Sequence, residues 1–371
     1  MSVSLYIHIP FCKSKCRYCD FLSAPCSEGE RVRYIEALKA ELTLYSDNNN
    51  IIDTVYIGGG TPSLISISEL SGIIDSIYIN FKKDIIEFSI ECNPESVTIE
   101  KLAAYKSLGI NRISLGVQSL NDKVLKLLGR AHDKVDAIKA MDNVGTLFNN
   151  WNIDFMLGLP GEEKDDAVKC VEAAINRGAK HISAYSLILE EGTPLKESAD
   201  RGEVIVPDAD TAADNYERVR ACLEGSGYGR YEVSNFALPG YECIHNMGYW
   251  RLKEYIGAGL GAHGYLKNTR YQNADKMGEY LSLISDGVKP ISSEHIVNLK
   301  ESEEEFIMLA LRTSEGIVIN EYRRLFNSDF ISKYFTALES IGKYLNITEK
   351  NVSIKSEFMG VMNSIIIEFF N

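Results

Sequence analysis

Three cysteines stand within eight residues near the N-terminus, in the order Cys12-Lys-Ser-Lys-Cys16-Arg-Tyr-Cys19. Thiolates this close can grip one metal centre. The spacing does not suit a zinc ribbon, which shows two C-x-x-C pairs. It also lacks the fourth nearby cysteine of a bacterial ferredoxin run. Three sulfur ligands suit a cubane [4Fe–4S] cluster with one iron left open, and an open coordination position is where chemistry takes place. Lys13, Lys15 and Arg17 lie among the sulfurs, favouring thiolates and offsetting cluster charge.

The other residues capable of chemistry fall just after β-rich runs. They are Gly58-Gly-Gly-Thr-Pro62, Glu91-Cys-Asn-Pro94, Gln118-Ser119, Asp154 and Tyr185-Ser186. The runs themselves, Leu5–Ile9, Asp53–Ile57, Ile85–Cys92, Arg112–Val117, Asn152–Leu157 and His181–Leu189, are rich in Val, Ile, Tyr and Phe. Amphipathic segments separate them, one carrying Val32, Ile35, Leu38, Leu42 and Tyr45, another Val135, Ile138, Met141 and Val144. Six strand–helix alternations predict a parallel α/β architecture. Functional residues at the ends of successive strands favour a barrel over a doubly wound sheet. Six strands fall short of eight, so the expected fold is a partial (β/α)6 TIM-like barrel over residues 1–206. Residues 207–280 are expected to extend and close it. Residues 281–371 are expected to form a smaller, winged-helix-like α+β domain, with a helix from the acidic Glu301-Ser-Glu-Glu-Glu305 and terminal β-like runs including Ile365-Ile-Ile.

C-x-x-x-C-x-x-C after a first strand is the signature of radical S-adenosylmethionine (SAM) proteins. The string Tyr6-Ile-His-Ile-Pro-Phe-Cys12…Tyr18-Cys-Asp-Phe21 resembles the oxygen-independent coproporphyrinogen dehydrogenase (HemN) group, and most closely its HemW-type haem chaperone branch. The resemblance extends through Gly58-Gly-Gly-Thr-Pro-Ser63, Glu91-Cys-Asn-Pro94, Ser114-Leu-Gly-Val-Gln-Ser119, Leu128-Gly-Arg-Ala-His132, Asn152–Gly161 and His245-Asn-Met-Gly-Tyr-Trp250. It implies a [4Fe–4S] cluster on Cys12, Cys16 and Cys19. Gly59, Gly60 and Thr61 would meet the methionine amino end of SAM. Glu91, Gln118, Arg130 and Asp154 would make polar contacts with it, Tyr6 would lie beside the cluster, and Tyr18 near the adenine. Taken singly, each has a structural reading as a helix cap or a turn.

In such families the reduced cluster passes an electron into the sulfonium, and the resulting radical abstracts hydrogen. Whether this chain completes that reaction is left open by its sequence. HemN-type dehydrogenases carry a further cysteine two residues beyond the third, where this chain has Phe21. Their longer region before the first cysteine also has no counterpart in the eleven residues preceding Cys12. Both departures fit a haem chaperone that binds a cluster, SAM and haem and delivers haem to acceptor proteins. The alternatives are oxidative decarboxylation of coproporphyrinogen III and a structural Fe–S or electron-transfer protein.

On residue chemistry alone His245 reads as a loop histidine beside a small core patch. The resemblance of its motif implies instead that it is the haem ligand, an imidazole beside two flat aromatics with Arg251 and Lys253 able to meet propionates. Cys243 is an alternative ligand that reads better as a buried thiol, and Cys26 a further cluster ligand when SAM is absent. Cys170 and Cys222 read as structural, and His8 as packing inside the barrel. Gly257-Ala-Gly-Leu-Gly-Ala262 formally matches a dinucleotide fingerprint, but no helical periodicity follows it. It reads as a flexible loop at the barrel mouth, with His263 able to face a cofactor.

Composition narrows the partners. Hydrophobic residues make up 45% and charged residues 25%, the profile of a globular protein. With 39 Lys and Arg against 52 Asp and Glu, the net charge is −13. No dense basic block offsets it, which excludes a nucleic-acid role. Residues 281–371 are themselves acidic, nine basic against thirteen acidic. No apolar run is long enough to span a membrane, and the first ten residues do not read as a signal peptide. A cytoplasmic setting with reduced thiols is expected. The resemblance adds an electron donor and a cluster-dependent homodimer, and peripheral membrane contact stays open.

Overall fold

Parallel strands buried on both faces read as near-continuous apolar runs, and the first two-thirds of the chain follows that rule. The structure, a computed structural model, describes residues 2–46 and 50–370. All six expected strands form: β1 (Ser2–Ile9), β2 (Ile51–Gly59), β3 (Lys82–Cys92), β4 (Arg112–Gln118), β5 (Trp151–Leu157) and β6 (His181–Ser186). They pair in sequence order and in parallel, and every residue of β4 is buried.

Beyond β6 come β7 (Gly229–Arg230), β8 (Asn235–Ala237), β9 (Tyr255–Ala258), β10 (His263–Leu266), β11 (Thr269–Asn273) and β12 (Ile291–Ile296). β9 returns to lie parallel to β1, and β10, β11 and β12 continue that edge antiparallel. β8 and β7 extend the opposite edge, giving one open 12-stranded sheet. The glycine-rich stretch after Tyr255 is therefore not a flexible loop but strand, turn and strand. Glycine is needed there for contact. A Cβ on Gly257 would lie 1.7 Å from the His263 carbonyl oxygen, so a side chain would force β9 and β10 apart.

Helices cover the sheet, and their starts are fixed by capping. Ser27 with Glu30, and Ser66 with Glu69, form reciprocal capping boxes at Glu28–Leu44 and Ile67–Asn80. Ile35, Leu38 and Leu42 are buried as expected, whereas Val32 and Val135 are exposed. In the helix Lys134–Leu147 the buried stripe is Ala137, Ala140, Met141 and Val144, so the small alanines rather than Val135 face the sheet.

A second apolar core gathers Phe306, Ile307, Tyr322, Phe330, Val352 and Phe369 around a small sheet of β13 (Ile317–Val318), β14 (Leu345–Ile347) and β15 (Asn351–Ile354). The helix Leu299–Ala310 begins at the acidic segment and is capped by Asn298 with Glu301. Ile365-Ile-Ile is helical, not β: Met362–Ile366 is an α-helix followed by a 3₁₀ turn. Ile365, Ile366 and Phe369 are buried together, and that spacing is helical. Packing outweighs the β-branched preference there.

Candidate functional site

The C-terminal ends of β1–β6 converge on a cavity of about 440 Å³. The cysteine loop leaves β1 and is tied down along its length. Cys12 N–H donates to Ala24 O at 3.1 Å, Arg17 N–H to Leu128 O at 2.9 Å, and the Arg17 side chain to Ser198 Oγ at 2.7 Å. Cys12, Cys16 and Cys19 all line the cavity and all are partly exposed.

The glycine run follows β2. Gly60 N–H donates to Ile9 O and Thr61 N–H to Phe11 O, both at 2.8 Å, so the run is laced to the start of the cysteine loop. A Cβ on Gly60 would stand 2.7 Å from Phe11 O and 3.0 Å from Cys12 Sγ. Gly59 has a φ of 116° and its N–H donates to Glu91 Oε2 at 3.0 Å.

Polar groups bridge two of the sulfurs. Arg130 Nη1 donates to Cys16 Sγ at 3.6 Å, and its Nη2 donates to Asn93 Oδ1 at 2.9 Å and Gly116 O at 2.6 Å. Asn93 Nδ2 donates to Thr61 Oγ1 at 3.1 Å, and that hydroxyl donates to Cys12 Sγ at 3.6 Å. Across the cavity Glu91 accepts from Tyr56 Oη at 2.9 Å, and burial, aided by the nearby Asp154 carboxylate, raises it to about 7. Burial also raises Asp154, which accepts from Asn152 Nδ2 at 2.8 Å and Ser114 Oγ at 3.2 Å. Gln118 closes β4 in a left-handed conformation (φ 69°), and its Oε1 accepts from Tyr185 Oη at 2.8 Å.

Comparison with known proteins places this arrangement. Residues 6–174 match the radical SAM superfamily model. The chain is 38% identical over 320 residues to the Heme chaperone HemW of Mycobacterium tuberculosis, covering 84% of this chain and 82% of that one. It is 36% identical over 319 residues to the Heme chaperone HemW of Bacillus subtilis, covering 85% and 84%. The chain belongs to the HemW family of radical SAM proteins. Its fold is also that of coproporphyrinogen III oxidase HemN from Escherichia coli: TM-score 0.86, 19% identity, covering 99% of this chain and 89% of that one.

Membership of the radical SAM family implies a [4Fe–4S] cluster and SAM, and the residues present fit both. Three thiols face one cavity, and two of them already receive hydrogen bonds of the kind that stabilise thiolate sulfur. Among the described residues no three His, Cys, Asp or Glu side chains converge on a single ion position. A cubane asks for no such convergence, because each cysteine takes a different iron. When bound, the cluster supplies one-electron reducing power and an open iron position. The chain itself supplies two half-buried carboxylates for cationic groups, a guanidinium for a carboxylate, and glycine backbone for close approach.

Gly59, Gly60, Thr61, Glu91, Gln118, Arg130, Asp154 and Tyr18 all border this cavity. Tyr6 does not. Its hydroxyl bonds His8 Nδ1 at 3.0 Å and its ring stacks on Tyr56, and it lines a neighbouring, larger cavity. Cys26 packs against the core outside the cavity. Cys243 is fully buried, with its thiol donating to Glu87 Oε1 at 3.4 Å, and burial pushes it up to about 12.

The structure places His245 apart from both cavities. It lies on the helix Ile244–Trp250, whose first N–H groups donate to the buried Glu87. The imidazole is 1% exposed and borders neither cavity. Nδ1 bonds Thr54 Oγ1 at 2.9 Å and Nε2 bonds Tyr249 Oη at 2.8 Å, so neither nitrogen is free for iron. The Thr54 hydroxyl donates to Ser4 Oγ. The Thr54 oxygen therefore accepts Nδ1–H, and Nε2 accepts from the tyrosine. Of the cations expected to meet propionates, Arg251 pairs with Glu315 at 2.7 Å and Lys253 with Asp53.

Sequence reasoning left Asn93, Tyr56, Ser114 and Tyr185 without roles. The signal for Tyr56 was period two, since Thr54 and Tyr56 share a face of β2. Asn93 stood inside a quoted motif, but its bridge between Arg130 and Thr61 is a tertiary fact.

Proposed function

We propose that this protein is a cytoplasmic haem chaperone of the HemW type. It holds a [4Fe–4S] cluster on Cys12, Cys16 and Cys19, binds SAM against Gly59, Gly60, Thr61, Glu91, Gln118, Arg130 and Asp154, and passes haem to acceptor proteins. The observation that carries this reading is the identity of 36–38% over most of the chain to proteins named as haem chaperones. Phe21 supports it from the structure. The residue is 62% exposed and borders both cavities, at the position where coproporphyrinogen dehydrogenases carry a further cysteine.

The test is anaerobic reconstitution followed by three measurements on one preparation. EPR of the reduced cluster changes on adding SAM. Haemin binds with a defined Soret band and transfers to an apo-haemoprotein. Coproporphyrinogen III with reductant and SAM yields no protoporphyrinogen; stoichiometric product would overturn the chaperone reading in favour of the decarboxylase. An EPR signal indifferent to SAM would favour a structural Fe–S protein. Size-exclusion chromatography with and without cluster reads the cluster-dependent pairing of two copies, and the reductant replaces the electron donor.

A further inference from the structure

Beside the cysteine-lined cavity lies a larger one of about 880 Å³, sharing Phe21, Gly59 and Glu91 with it. Its volume falls in the upper part of the range of small-molecule sites, about 300–1,000 Å³. One wall is the β10–β11 hairpin, and the other is the helix Leu299–Ala310 with Met308 and Leu309. In the hairpin His263 pairs with Gln272 and Tyr265 with Arg270. Alternation places those four side chains on one face, and all four border the cavity. The rings of Tyr249, Tyr255 and Tyr265 supply flat apolar surface.

A census of imidazoles singles out one of them. The chain has six histidines. His8 bonds Tyr6 and the Leu22 carbonyl, His181 bonds Asn152 and Tyr231, and His245 bonds Thr54 and Tyr249. His132 is buried between the Val117 carbonyl and Glu95, and His295 pairs with Glu301 outside the cavity. His263 is exposed to the cavity, and its side chain has no hydrogen bond or ion pair among the described residues. Arg270, on the same face, lies 4.9 Å over the Tyr265 ring and is held by Glu305 at 2.5 and 3.1 Å. Its five donors leave room for a second carboxylate.

We infer that the larger cavity is the haem site and that His263 ligates the iron, the porphyrin lying against the tyrosine rings with a propionate at Arg270. This inference rests on the haem-chaperone reading and replaces His245 with His263 as the ligand. His245 becomes a positioning residue that holds Tyr249 in the cavity wall.

The full-length protein is titrated with haemin and with metal-free protoporphyrin IX, following absorbance. Wild type gives the Soret band of imidazole-ligated haem. His263→Ala shifts that band and weakens haemin binding tenfold or more, and added imidazole restores the band. Metal-free porphyrin binds wild type and His263→Ala alike, because the side chain acts on iron and not on the plate. Unchanged haemin affinity and Soret position in His263→Ala overturn the assignment, as does an equal loss of metal-free porphyrin. Failure of wild type itself to bind haemin overturns the chaperone reading instead, which keeps the two failures apart. Leu309→Trp, which fills the cavity, abolishes binding of both porphyrins; retention of either places the site elsewhere.

Discussion

The guanidinium of Arg130 meets the sulfur of Cys16 at 3.6 Å across 114 residues of sequence. That contact makes a residue just past the helix Asp122–Leu128, which follows β4, part of the cysteine loop's support. The same guanidinium reaches Asn93, which reaches Thr61, whose hydroxyl reaches Cys12. Two of the three cysteines of the loop are thus tied to one polar chain, drawn from the ends of β2 and β3 and from the segment past the helix that follows β4.

Asn93 is the middle of that chain, and its removal is the sharpest test of it. Asn93→Ala leaves Arg130 bonded to Gly116 O but takes the Asn93 Oδ1 acceptor from Nη2 and the Nδ2 donor from Thr61. A buried hydrogen-bonding group left unpaired costs about 1–3 kcal/mol. The expected result is a fall of that size in urea stability and a lower iron-to-protein ratio after anaerobic reconstitution. Normal iron loading with unchanged stability would show that the relay does not hold the loop.

Gly60 tests the loop from the other side. Gly60→Ala drives a methyl to within 2.7 Å of Phe11 O and 3.0 Å of Cys12 Sγ, so the cysteine loop has to shift. Iron incorporation is expected to fall severalfold, while far-UV circular dichroism stays close to wild type. Gly225→Ala is the control, since a Cβ there meets nothing within 4 Å. Equal iron content in the two variants would sever the glycine run from the cluster site.

Much of this arrangement was legible in the sequence because it is local. The six strands, the cysteine spacing and the polar residue after each strand all follow from period and order along the chain. What was not legible is tertiary. The Gly257–Gly264 stretch read as a loop because its glycines hide the alternation of β9 and β10, and they are there to let backbones meet. His245 reads as a ligand only through the family resemblance of its motif. Its burial against Thr54 and Tyr56 comes from a strand some 190 residues earlier. Ile365-Ile-Ile read as a strand on β-branching alone, whereas its packing onto Phe330 through Phe369 is set by the second core.

Glu91 predicts how SAM binding responds to pH. Burial and Asp154 raise its carboxyl to about 7, above the ordinary 4.5. The stability it contributes is complete below about pH 4.5 and is lost as pH rises through about 7, because the unfolded chain ionises first. A cationic ligand reverses the preference, since it favours the ionised form. SAM affinity is therefore expected to rise between pH 6 and pH 8 while the ligand-free protein loses stability toward pH 7. Glu91→Gln weakens SAM binding tenfold or more and flattens its pH profile. Calorimetric titration at three pH values is the check, and a flat wild-type profile would remove Glu91 from the SAM contacts.

His245 predicts the acid limb of stability. Burial, with Lys253 and Arg112 adding to it, lowers the imidazole from 6.5 to about 3. The folded protein therefore holds it neutral, while the unfolded chain takes up a proton near pH 6.5. Its contribution is present above about pH 6.5 and is lost as pH falls toward 3, amounting to roughly 2 kcal/mol by pH 5. His181 and His8 shift in the same direction, so the wild-type limb is the sum of several such groups. His245→Gln is expected to be less stable at pH 7.5, because the Thr54 and Tyr249 hydroxyls lose a matched partner, yet to lose less stability on going to pH 5. Urea unfolding at pH 7.5, 6 and 5 measures both effects. An unchanged pH slope in the variant would mean that His245 titrates as an exposed imidazole does, and the buried bridge between β2 and the Tyr249 wall would fall with it.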